Sequence, residues 1–154
     1  MDNLKDEIYQ MIENVSESLG RKLTEGKEIV IEDRGYPHKP PSMLPENCAT
    51  VYSFIYNGEF LKTGKANKKS NARYTSHHYG FNAPSTLAKS ICKDARMQPF
   101  GINAGNVREW IMQNTQRIDI LIKCENSEWA TNLIEAIMHY KYKPRYEGKN
   151  ILQD

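Results

Sequence analysis

Leu4, Ile8, Met11, Ile12, Val15 and Leu19 recur every three or four positions among polar neighbours, the spacing of one apolar stripe on a helix. Gly20 supplies a stop, so a helix is predicted over 3–19. EIVIE at 28–32 alternates as a short strand, and DRGYPHKPPSMLPEN carries four prolines, which bar regular structure and predict a loop. Residues 1–48 therefore read as an N-terminal arm of helix, strand and Pro-rich linker. From Ala49 the pattern changes. TVYSFIY is β-branched and aromatic, Asn57-Gly58 is a turn, and EFLKTG is a second strand. Helical signals follow at 70–79, 85–95 and 105–114. RIDILIK at 117–123 is a strand, and TNLIEAIMHYKY lies in a closing helix over 128–141, ended before Pro144. The order ββ-α-α-α-β-α predicts a small α+β sandwich over 49–148, its three-stranded antiparallel sheet flanked by helices, with a tail at 149–154.

Length and charge sharpen this picture. At 154 residues the chain is long enough for a real core, and with 26% charged residues it reads as globular. No apolar run is long enough to span a bilayer, which excludes a membrane protein of helical type. The acidic N-terminus has no secretory h-region, and Cys48, Cys92 and Cys124 form no Cys-x-x-Cys pair. A cytoplasmic protein without a disulfide framework or zinc site is expected. The net charge of +2 hides an asymmetry: residues 1–34 hold five Lys/Arg against nine Asp/Glu, and residues 61–98 hold eight against one. That basic segment suits a polyanion.

The basic block sits directly after the tyrosine-rich hairpin and before two histidines. Thr50-Val51-Tyr52, Lys62-Thr63-Gly64, Arg73, His77 and Glu135 follow one another with a spacing and order that resemble the GIY-YIG nuclease domain, from about Ala49 to Gly148. In this chain lysine stands where the second triplet has its tyrosine, and Glu147 where the family often has an asparagine. The resemblance implies a GIY-YIG-like sandwich and a DNA endonuclease leaving 5′-phosphate and 3′-hydroxyl ends. It further implies Tyr52 as general base, Lys62, Arg73 and His77 around the phosphate, and Glu135 holding Mg²⁺ or Mn²⁺.

The residue chemistry is consistent with that task. Cutting a phosphodiester needs a base, cations for the transition-state charge and help for the leaving oxygen. A phenol acts as a base only if neighbouring cations favour its anion, which Lys62 would do from the facing strand. That adjacency depends on register. A two-residue Asn57-Gly58 loop puts Tyr52 and Lys62 on opposite faces, whereas a three-residue loop, Tyr56 to Gly58, sets them directly opposite. The three-residue loop is predicted. Arg73 and His77, four apart, are expected on one helix face with His78 turned away. Glu135 shares a polar strip with Asn132, His139 and Tyr142, and magnesium tolerates a single carboxylate because it keeps its waters.

Lys65, Lys68, Lys69 and Lys89 are the candidates for tracking a nucleic-acid backbone. Trp110 and Trp129 are read as core. A DNA-binding module that keeps the groove without the chemistry is the alternative, and the first helix is a candidate homodimer contact.

Overall fold

The structure, a computed structural model, describes residues 3–123 and 127–147. Gly148 and the predicted tail at 149–154 lie outside them. Helix α1 (Leu4–Ser18) seats Ile8 and Ile12, both fully buried, on the sheet. The strands are β1 (Ile29–Gly35), β2 (Ala49–Tyr56), β3 (Glu59–Ala66) and β4 (Gln116–Ile122). They form one antiparallel sheet in the order β1-β4-β2-β3, four strands where three were expected. The added strand comes from the N-terminal segment. Ile29 and Ile31 of β1 pair with Ile122 and Ile120 of β4 and join the same apolar cluster. Ile8 and Ile12 of the α1 stripe lie in that same cluster, with Leu4 and Met11 partly buried against it.

Both faces of the sheet are covered. On one, α1 and α5 (Ser127–Tyr142) pack over Val51, Ile55, Phe60, Ile118 and Ile120. On the other, α2 (Asn71–Thr75), α3 (Leu87–Lys93) and α4 (Val107–Asn114) pack over Tyr52, Phe54 and Leu61. Trp110 of α4 packs against that second cluster, whereas Trp129 is 76% exposed rather than core. No described helix is long and apolar enough to cross a membrane.

The hairpin register differs from expectation. Tyr56 pairs with Glu59 and Ile55 with Phe60, so the loop is the two-residue Asn57-Gly58 turn, with both residues at positive φ. Beyond it Leu61 is extra, and Phe54 then pairs with Lys62 and Tyr52 with Gly64. This bulge shifts the strand by one residue. It returns Lys62 to the face of Tyr52, though diagonal to it rather than opposite.

Helix α2 also ends early. Tyr74 is fully buried and Tyr79 is 2% exposed. Positions five apart on a continuous helix point about 140° away from each other. Burying both requires a break, which falls at Ser76, and His77–Tyr79 continue as a 3₁₀ turn.

A buried polar network holds this segment to the sheet. Asp119 accepts from Arg117 Nε at 2.8 Å, from Tyr74 Oη at 3.1 Å and from Arg34 Nε. Arg117 also donates to Tyr79 Oη at 3.1 Å and to the Tyr74 carbonyl at 2.8 Å. Tyr79 Oη in turn lies 2.8 Å from His38 Nε2, while His38 Nδ1 donates to the Thr115 carbonyl at 2.7 Å. Every member is satisfied, which is the condition for ionic groups to be tolerated in a core.

Candidate active site

A cavity of about 490 Å³ wraps around the edge strand β3. It is lined by Tyr52 from β2, Lys62, Gly64 and Lys65 from β3, Arg73 from α2 and Glu135 from α5, with His77, His78 and Glu147 completing its wall. Side chains alternate along a strand. Lys62 and Gly64 therefore lie on the Tyr52 side, while Thr63 and Lys65 turn toward α5. The five residues singled out in sequence, Tyr52, Lys62, Arg73, His77 and Glu135, thus border one hollow.

Tyr52 is 1% exposed, and its phenol lies across Gly64. A Cβ at position 64 would stand 2.5 Å from the phenol oxygen. Only glycine leaves room for this ring, a local reason for the residue that ends the second triplet.

The closest partner of Tyr52 is one sequence reasoning had turned away. His78 Nε2 lies 2.6 Å from Tyr52 Oη, and His78 Nδ1 accepts the Leu87 N–H at 3.1 Å. A backbone N–H only donates, so Nδ1 carries no proton and the neutral ring has its hydrogen on Nε2. Burial, reinforced by the charges of Lys62, Arg117, Arg73 and His77, pushes His78 down to about 3, keeping it neutral. Nε2–H therefore donates to the phenol oxygen. The break at Ser76 brings His78 inward, and the adjacent buried Tyr79 was the available signal that the helix could not continue.

Burial pushes the Tyr52 phenol above its ordinary value, opposed chiefly by the guanidinium groups of Arg73 and Arg117. Lys62, expected to do this, instead has its ammonium 3.6 Å from Glu147. Glu147 also accepts the Thr63 N–H at 3.3 Å and lies 3.8 Å from His139 Nε2. Its segment is clamped to β3: Arg145 and Tyr146 donate their backbone N–H groups to the Phe60 and Leu61 carbonyls, each at 2.9 Å. Arg145 forks onto Glu59, and Tyr146 Oη donates to Asp94 at 2.7 Å.

Glu135 is half-buried, with Lys65 Nζ at 3.8 Å. Lys65 also donates to Asn132, one turn earlier on α5. Of the expected polar strip, His139 lies 3.0 Å from the Thr63 carbonyl, while Tyr142 stacks on Phe60 and donates to Glu7 of α1. Lys68 and Lys69 stand exposed on a 3₁₀ turn capped by Asn67. Lys89 does not line the cavity; its ammonium is tied to the Ala83 carbonyl and braces the loop that forms the far wall.

Among the described residues no group of three or more His, Cys, Asp or Glu is arranged to hold a metal. A cation held by one carboxylate needs no such group, and Glu135, a hard oxygen donor in a polar cavity, fits magnesium or manganese. Compared with known proteins, the chain matches no family model, no curated protein and no solved structure.

Proposed function

We propose that the chain is a metal-dependent DNA endonuclease of the GIY-YIG type, hydrolysing phosphodiester bonds to 5′-phosphate and 3′-hydroxyl ends. The observation that carries this reading is the meeting of Tyr52, Lys62, Arg73, His77 and Glu135 around a single cavity. A hairpin, a helical layer, a returning strand and a closing helix follow in the order that the family resemblance implies.

In this reading the phosphodiester enters with its non-bridging oxygens toward Arg73 and Lys62. The Arg73 guanidinium braces the phosphate and takes up transition-state charge. Tyr52, as phenolate, receives the proton of the attacking water. His78 Nε2–H donates to the same oxygen, which aims the phenol and favours its anion. His77 supplies a proton donor for a phosphate or leaving oxygen. Glu135 would hold a Mg²⁺ or Mn²⁺ ion, which when bound neutralises charge on the phosphate.

A DNA-binding module without chemistry shares the basic cavity, and the Lys62–Glu147 pair, which occupies the ammonium, favours it. It predicts salt-dependent DNA retention and no metal-dependent product.

The deciding experiment incubates supercoiled plasmid with the protein, with and without Mg²⁺ or Mn²⁺, and maps the ends. Nicking that needs the metal and stops with EDTA is expected. Glu135→Ala should remove it while leaving the circular dichroism spectrum unchanged. Cleavage persisting in Glu135→Ala would overturn the metal role.

A further inference from the structure

Resting on the nuclease reading, we propose that a second cavity beside the first is a subsite for the phosphodiester neighbouring the one that is cut. The substrate is then a polynucleotide strand that continues past the scissile bond. This cavity, of about 180 Å³, shares Lys65 and Arg73 with the active-site hollow and is otherwise bordered by Asn67, Ser70, Glu128 and Asn132, among others. Its two shared cations form the wall between the hollows, so a strand leaving the first must pass over them to reach the second.

The distribution of paired and unpaired charge supports this path. Lys62 faces Glu147, Lys65 faces Glu135, Arg117 and Arg34 face Asp119, and Arg145 faces Glu59 and Asp94, which among the described residues leaves Arg73 as the unpaired cation shared by the two cavities. Among the described residues, Arg73, Lys68 and Lys69 have no such carboxylate partner within ion-pair distance. Lys68 and Lys69 stand on the turn between Asn67 and Ser70, both of which are among the residues lining the second cavity. Unneutralised cations along one track are what a phosphate backbone rewards, since each contact releases counterions from the nucleic acid. The Asn67 and Ser70 side chains cap that turn, which fixes the backbone that carries the two lysines beside the cavity's lining.

One carboxylate opposes the assignment and supplies its test. Glu128 is exposed at the start of α5 and lines the second cavity, as does Asn132 one turn on. Both can change charge without disturbing the core. Binding of a fluorescein-labelled single-stranded oligonucleotide would be followed by anisotropy in EDTA and low salt, where nothing is cut. Glu128→Gln is expected to tighten binding about threefold and Asn132→Asp to weaken it about threefold, the size of one rim charge beside a phosphate. An unchanged circular dichroism spectrum and melting temperature in each variant would separate a local charge effect from misfolding. Glu109→Gln, on α4 and lining neither cavity, is expected to leave affinity unchanged. Unchanged affinity in both rim variants, with metal-dependent nicking intact, would overturn the subsite and leave the nuclease reading standing. An equal gain in Glu109→Gln would also overturn it, because the effect would be the protein's general field. No cleavage by the unaltered protein with either metal would instead remove the nuclease reading itself.

Discussion

Gly64→Ala tests the site geometry with a single methyl group. In the β2–β3 ladder Gly64 is the direct partner of Tyr52, and the added Cβ would lie 2.5 Å from the phenol oxygen and 2.8 Å from Cζ. Ordinary contact begins near 3.4 Å, so the ring must retreat by about 0.9 Å. It has nowhere easy to go, because His78 and Phe54 pack against it with ring centroids 5.2 and 6.2 Å away. A retreat of that size takes the phenol oxygen out of the 2.6 Å bond to His78. Overpacking of a buried position costs about 2 kcal/mol, which for a chain of this length lowers the melting temperature by about 6 °C. On the proposed role of Tyr52 as the base, displacing it by nearly an ångström costs about a hundredfold in rate. Differential scanning fluorimetry and plasmid nicking read the two effects separately. A Gly64→Ala protein with unaltered melting temperature and nicking rate would refute the claim that the phenol lies across this glycine and that its position matters.

Three further outcomes follow from the network and the titrating groups. Asp119→Asn strips the carboxylate from the buried Arg117 and from Arg34, and is expected to destabilise by about 3–5 kcal/mol in urea unfolding; an unshifted midpoint would show that the network bears no strain. Folded-state pKa values of His38 and His78 lie below the usual histidine value, so stability is full above that value, and is lost as pH falls from about 6.5 toward the folded values because the unfolded chain gains protons first. Urea midpoints falling between about pH 6.5 and 5, less steeply in His78→Gln, are expected, and a flat profile would contradict the neutral buried rings. With the Tyr52 phenol held above its ordinary value, the nicking rate should rise about tenfold per pH unit from neutrality upward; a plateau beginning near pH 8 would make another group the base.

What could be read in the sequence was whatever depended on local pattern. The apolar stripe of α1, the Asn-Gly turn and the helix around Glu135 are written in short windows, and the order of polar residues along them pointed to side chains that border one hollow. What could not be read was decided at a distance. The bulge at Leu61 turns the consecutive residues Leu61 and Lys62 toward the same side of the sheet, so that Leu61 enters the core beside Tyr52 while Lys62 stays opposite Phe54, a demand visible only with both faces of the sheet covered. β1 joins the sheet through β4, far along the chain, so its residues read as an arm. Arg117 and Asp119 stood at alternate positions opposite Ile118, Ile120 and Ile122, a pattern that suggests a wet face. A second guanidinium from β1 and the tyrosines at 74 and 79 make it a dry one. His78 was missed for the same reason: a helix wheel assumes a helix, and the two buried tyrosines end it.

β4 has a consequence for how the molecule is assembled. It is hydrogen-bonded to β1 on one side and to β2 on the other, and those two earlier strands have no ladder between them. Until Gln116–Ile122 has been synthesised, the β2–β3 hairpin can form but the N-terminal strand has nothing to dock on. Folding must then be governed by non-local pairing, slow and late, with two unprotected strand edges in the nascent chain. A split of the polypeptide between Asn114 and Gln116 should therefore yield two pieces that lack the native sheet apart and complete it together by strand insertion.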